Sequence, residues 1–320
     1  MGSSVKLSVW AEFMEPAEIE KATPFLSKYQ VSIAMAFSEK NMTREYINLF
    51  WKMNELGIDF YLWLLLPDED GYWVNERKTE KFDFFVKRVI VWAFKHDFYI
   101  PGIAVDMEPP LQQMKILSDR KFFEKVKTML GNLNKNRFQQ AQYDLQNTAD
   151  YLREHDIKTV APIAFNVAHE MISGKTTIQD LMETPIVKWD KISPMFYTTL
   201  FPLFTKNFIS REDARWYLYR AGKKFAEKMG KRASVSLGTI GQGKLDTEET
   251  TGYTSPEEFL PDIQASLAAG IEDIFIFNLK GLMSSPNEWF STICSASPMI
   301  PKKTLKGDIL YYVFSLLGKI

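Results

Sequence analysis

The stretch Gly102-Ile103-Ala104-Val105-Asp106-Met107-Glu108-Pro109-Pro110 is an apolar run that ends in two acids. Successive side chains of a strand point to opposite faces, so Ala104, Asp106 and Glu108 share one face, the two acids with Cα atoms roughly 6.5 to 7 Å apart. Ile103, Val105 and Met107 take the other face. Pro109 and Pro110 end the strand, because neither ring nitrogen can donate to a ladder. Two carboxylates at the C-terminal tip of an apolar strand suit acid–base chemistry at the mouth of a parallel barrel.

The rest of the chain supplies such a barrel. Upstream, residues 5–10, 31–37 and 58–66 read as strands. Between them lie helical patterns over 16–29 and from Asn41 or Thr43 to Leu56, with Gly57 as the C-terminal glycine. The apolar run at 58–66 is the pattern of a strand buried on both faces. A turn-rich loop at 67–73 follows, then a helix over 78–95. Downstream, strands are expected at 159–165, 191–197, 233–239 and 273–279, with helices at 177–182, 210–229, 256–269, near Trp289 and at 307–317. Between Glu108 and Val160 the polar helical sequence predicts an extra helical excursion packed on the barrel. Eight strands in alternation with helices predict a (β/α)8 TIM barrel of the α/β class, one domain over residues 5–320. Residues 1–4, Met-Gly-Ser-Ser, read as a cloning remnant. A doubly wound sheet would carry a glycine-rich phosphate turn. Residues 238–243 are glycine-rich, but they do not open directly into a capped helix.

Composition narrows the partners. The 320 residues are 46% hydrophobic, enough for a large core, and 39 Lys plus Arg balance 40 Asp plus Glu. No bulk field draws nucleic acid or an anionic membrane to such a chain, and a nucleic-acid partner is not expected. No apolar run is long enough for a membrane span. Cys294 is the lone cysteine and decides nothing about compartment. Three histidines without paired spacing give no zinc signature, so no metal and no cofactor is expected. The residues present carry no signal peptide. A secreted or cell-surface location is the expectation, with a targeting segment removed.

The strand tips resemble those of the chitinase-like glycoside hydrolases of family 18. That family carries D-G-x-D-x-D-x-E at its fourth strand, and residues 101–108 are similar to it at Gly102, Asp106 and Glu108, with Pro101 and Ala104 in place of the first two aspartates. Met195-Phe196-Tyr197-Thr198 looks like the family's M-x-Y-D with the last residue replaced, and the IAMAF of the second strand is similar to its Y-A-F end. Phe277 stands where the family has the tryptophan floor of the sugar site. The third-strand S-x-G-G motif is absent. The resemblance implies that Glu108 protonates the leaving glycosidic oxygen while the sugar's own acetamido oxygen attacks the anomeric carbon. It also implies that Asp106 and Tyr197 hold the acetamido group. Ala104 lacks the middle carboxylate, for which Glu12 or the group Asp68, Glu69 and Asp70 are candidates. A lysozyme-like barrel family with D-x-E is compatible too, but it opens its first strand with an aspartate that this chain lacks.

The candidate set is therefore Glu108, Asp106 and Tyr197 for chemistry, with Trp10, Glu12, Tyr72, Trp73, Asn166, Met195 and Phe277 for substrate. Tyr72 and Trp73 lie in a turn-rich loop, where flat rings could wall a sugar cleft. His169 reads as a structural hydrogen-bonder. Like charges as close as Asp106 and Glu108 should titrate as a pair, with Glu108 protonated near neutral pH and Asp106 ionised. The reading is a glycosidase acting on an oligosaccharide or polysaccharide containing amino sugars. Two alternatives stand beside it: a chitinase-like lectin without turnover, and a phosphoesterase using Asp106, Glu108 and Glu12 around Mg²⁺.

Overall fold

Eight parallel strands close into a barrel in the order β1 to β8 in the computed structural model, which describes residues 5–110, 113, 131–240 and 252–319. The strands are β1 Lys6–Ala11, β2 Ser32–Phe37, β3 Phe60–Leu64, β4 Gly102–Ala104, β5 Lys158–Ala164, β6 Lys191–Met195, β7 Val235–Gly238 and β8 Asp273–Phe277. The chain has a (β/α)8 barrel, as the alternation of patterns predicts.

Local chemistry explains where the elements begin and stop. Pro16 opens the helix Pro16–Tyr29, and Glu15 and Glu18 cap it reciprocally. Thr43 precedes the helix Arg44–Glu55, and Gly57 then turns the chain at a φ of +63°. The Ser210 side chain accepts from Asp213 N at the start of Arg211–Met229. The polar sequence after β4 forms the helix Lys135–Glu154. Residues 111–112 and 114–130, which hold the first part of the expected excursion, lie outside the described residues, as do 241–243 of the glycine-rich run. Three short helices depart from expectation, one of them Leu279–Leu282, which begins where the eighth strand is expected to end. Phe165–Ser173 starts directly at the end of β5, and Leu200–Phe204 follows β6.

Parity along the strands builds two cores. Leu7, Val9, Ile33, Met35, Leu62, Ile103, Val105 and Ile274 face outward into the layer under the helices. Trp10, Ala34, Trp63, Ala104, Val160 and Phe275 fill the barrel itself. Trp10 packs edge-on to Trp63 at 5.3 Å and lies 5.1 Å from Phe275, and its indole N–H donates to Ser236 Oγ at 3.2 Å. Gly102 is small because a Cβ there would lie 2.4 Å from Cδ1 of Tyr61. Gly102→Ala is therefore expected to destabilise the protein by about 1–3 kcal/mol through overpacking, read from urea unfolding. A neutral result would mean that the Tyr61 ring can slide aside.

An ionic cluster ties the loop after β3 to the helix after β4. Arg137 donates from Nε to Glu76 at 2.6 Å, and Arg77 from Nε to Glu183 at 2.5 Å. Gln113 adds a bond to Glu183 at 2.7 Å. Burial pushes the Glu76 carboxyl up to about 7 against the pull of Arg137.

Candidate active site

The fourth strand keeps its register past its last regular residue, since Val105 N donates to Val160 O at 2.8 Å and Met107 N to Pro162 O at 3.0 Å. That ladder commits Val105 and Met107 to the outer core and turns Asp106 and Glu108 into the barrel mouth. The same parity continues Trp10 to Glu12 after β1 and Met195 to Tyr197 after β6.

These groups feel one another. Burial raises the Asp106 carboxyl well above its ordinary range, and Glu108 and then Glu12 push it further. Glu108 is raised to about 7, first by burial and then by Glu12. Tyr197 is also raised, by burial and then by Glu108, Asp106 and Glu12. Both carboxyls shift upward together, as closely spaced like charges do. Asp106 is 3% exposed while Glu108 keeps part of its surface, so Asp106 sits in the drier place. Glu12 joins them as a third carboxyl, 4% exposed, and accepts from the Tyr72 hydroxyl at 3.3 Å.

The rings of the site are more enclosed than their positions in sequence suggest. Tyr72 and Trp73 are 7% and 3% exposed and pack edge to face at 5.2 Å, so they line the acids and offer no open wall to solvent. Trp10 is held inside the barrel, where a sugar cannot stack on it. Trp63, inside the apolar strand β3, turns its indole to Asp106, as Trp73 does, and both oppose the rise of that carboxyl. Among the described residues, the indole nitrogens of Trp63 and Trp73 face Asp106 without reaching close hydrogen-bond geometry, and Asp106 Oδ1 has no close partner. Ala104 is fully buried in the same cluster.

The partly exposed members are Glu108, Tyr197, Met195 and Phe277, the last with its ring 5.8 Å from that of Tyr197. Asn166 lies in the first turn of Phe165–Ser173, and its amide contacts Met182 Sδ at 3.8 Å. His169 Nε2 bonds the Tyr217 hydroxyl at 2.8 Å, and burial lowers its pKa to about 4, which fits a structural role. Asp70 pairs with Lys78 at 2.7 Å and Lys81 at 2.8 Å, and these bonds hold its carboxyl below the usual range. Of the two candidate replacements for the acid missing at Ala104, the structure therefore brings Glu12 to the pair and occupies Asp70 elsewhere. Thr198 turns away from the mouth and donates to Asp262 at 2.5 Å. Among the described residues no group of three His, Cys, Asp or Glu side chains is placed to hold a metal ion. A surface groove of about 880 Å³ beside Asp59 and Pro101 lies where β3 and β4 begin, at the opposite end from these acids.

No protein-family model matches the chain, and no curated protein matches it. Solved structures do. The glycoside hydrolase domain of PgaB (BpsB) from Bordetella bronchiseptica superposes with a TM-score of 0.53 at 7% identity, covering 92% of this chain and 99% of that one. The spore cortex-lytic enzyme SleL of Bacillus megaterium gives 0.52 at 10% identity, over 94% of this chain and 75% of that one. The likeness is one of fold. An L-ribulose 3-epimerase also matches, with a TM-score of 0.46 at 12% identity over 98% of this chain and 94% of that one. The chain thus shares the (β/α)8 barrel fold of the first two structures.

Proposed function

We propose that the protein hydrolyses a glycosidic bond in a glycan containing amino sugars, with Glu108 as general acid. The observation that carries this reading is the meeting of Glu12, Asp106, Glu108 and Tyr197 at the barrel mouth, where Glu108 is both partly exposed and raised to about 7. A carboxyl with that pKa is substantially protonated near neutral pH and can give its proton to the leaving oxygen. As the C1–O bond breaks, the acetamido oxygen of the sugar closes onto the anomeric carbon. Asp106 and Tyr197 hold that group, and the negative charge kept by the cluster favours the positive charge developing on the ring. Water then opens the cyclised sugar while Glu108, now a carboxylate, takes its proton. Phe277 beside Tyr197 offers the ring face for the sugar.

Incubation with a panel of amino-sugar polymers, with and without chelator, read by mass spectrometry, tests the reading. New reducing-end products that survive chelation support it. Binding without products moves the protein to the lectin class, and neither binding nor products overturns the proposal.

Glu12→Gln gives a pH signature. The substitution removes one of the two causes that raise Glu108, the smaller one, so the pKa of Glu108 falls. Glu108 must be protonated to act, and activity is lost as pH rises through its pKa. The alkaline limb of kcat/KM against pH should therefore lie near 7 in the natural protein and move to lower pH in the variant. An unmoved limb would show that Glu12 does not act on Glu108.

A further inference from the structure

The helix Leu305–Leu317 presents Leu305, Ile309, Tyr312, Val313, Leu316 and Leu317 to solvent, each between 44% and 76% exposed. Their spacing of four, three, one, three and one makes a single continuous stripe. The orientation is fixed from the opposite side. Asp308 accepts from Trp216 Nε1 and from Arg220, both at 2.6 Å, and Phe314 packs on Phe165 at 4.9 Å. At Gly307 a Cβ would come within 2.6 Å of Asp213 O, and at Gly318 within 2.7 Å of the His169 backbone. The inner face is thus committed, and the helix cannot roll to hide its outer one. Phe208, 65% exposed, extends the apolar patch beside the first turn, where Lys306 Nζ sits over its ring at 4.6 Å.

Cations frame this stripe. Lys302 and Lys303 precede the helix with side chains 81% and 72% exposed, Lys306 lies in its first turn, and Lys319 follows it in the open. The acids nearby are engaged: Asp308 by Trp216, Arg220 and Lys303, and Glu212 by Lys302 at 3.6 Å. Apolar side chains rimmed by lysines complement the acyl boundary and headgroups of an anionic lipid layer. A second copy of the same face would bring like charges together. Among the described residues no helix is long and apolar enough to cross a membrane. The 13 residues of this one cover roughly 20 Å against a hydrocarbon core of roughly 30 Å, so the helix would lie in the plane.

We propose that the outer face of Leu305–Leu317 docks the protein on an anionic lipid surface. The proposal is independent of the glycosidase reading. It is tested by co-sedimentation of the whole protein with vesicles of phosphatidylcholine alone and with about one third phosphatidylglycerol. Binding to the anionic vesicles should be tighter by about tenfold or more, and high salt should weaken it. Ile309→Glu with Leu316→Glu should remove that binding with the melting temperature unchanged, because both side chains point to solvent. Lys302→Glu with Lys303→Glu, outside the helix, tests the charge separately and should lower binding to anionic vesicles alone. No sedimentation with either vesicle overturns the proposal. So does a lipid-free dimer that Ile309→Glu with Leu316→Glu dissociates, which would assign the face to a second copy.

Discussion

Glu108→Gln should lower turnover roughly 10²- to 10⁴-fold, the usual share of one positioned general acid. The amide keeps the size of the side chain but cannot deliver a proton to the leaving oxygen. Ground-state sugar binding should survive, because Tyr197 and Phe277 are untouched, so the loss falls on kcat more than on KM. The same substitution has an opposite effect on stability. A carboxyl raised to about 7 in the folded protein, from an ordinary 4.5, adds stability below about pH 4.5 that is lost as pH rises through 7. Glu108→Gln should therefore match the natural protein near pH 4 and exceed it in stability at pH 8. Activity falling while alkaline stability rises is what a residue held in an unfavourable place for function produces. Full activity in the variant would end the glycosidase proposal.

The acids at β4 were legible because the period of two runs unbroken from Gly102 to Glu108, and a prolyl pair stops it. Glu12 was legible as a strand-tip residue, but its effect on Glu108 depends on how far Tyr72 and Trp73 bury the mouth, and no local pattern encodes that. Trp63 was hidden by the opposite cause. In Phe60–Leu64 every residue is apolar, so nothing in the sequence distinguishes the inward face from the outward one. Nothing local marks the helix Phe165–Ser173, because the chain passes from β5 into it at Ala164 with no glycine or proline at the junction.

Charge shows a related limit. A sum of −1 over the chain argues against a bulk field, yet Lys302, Lys303, Lys306 and Lys319 gather around one apolar stripe. Segregation on the surface is set by which side of Leu305–Leu317 meets Trp216 and Phe165, and a helix rich in apolar residues on both sides does not announce that choice.

Asp262→Ala should cost about 3–5 kcal/mol of stability. Asp262 is fully buried on the helix Pro256–Ala268, where Oδ1 accepts from Arg215 Nε at 2.7 Å. Oδ2 accepts from Thr198 at 2.5 Å and from the Tyr253 hydroxyl at 2.6 Å. Truncation would leave a largely buried guanidinium uncompensated and two buried hydroxyls without their acceptor. Replacing both charged partners, as in Asp262→Leu with Arg215→Met, should recover much of the loss, because neither charge is then stranded. Urea unfolding of the two single variants and the double variant gives the coupling energy directly. A cost below about 1 kcal/mol for Asp262→Ala would show that Arg215 finds water or another acid. The bond to Thr198 also reaches the site, since Thr198 adjoins Tyr197 at the end of β6. Asp262→Asn keeps an acceptor for Thr198 while losing the charge opposite Arg215. If that bond positions Tyr197, activity per folded molecule should fall in Asp262→Ala and be largely retained in Asp262→Asn.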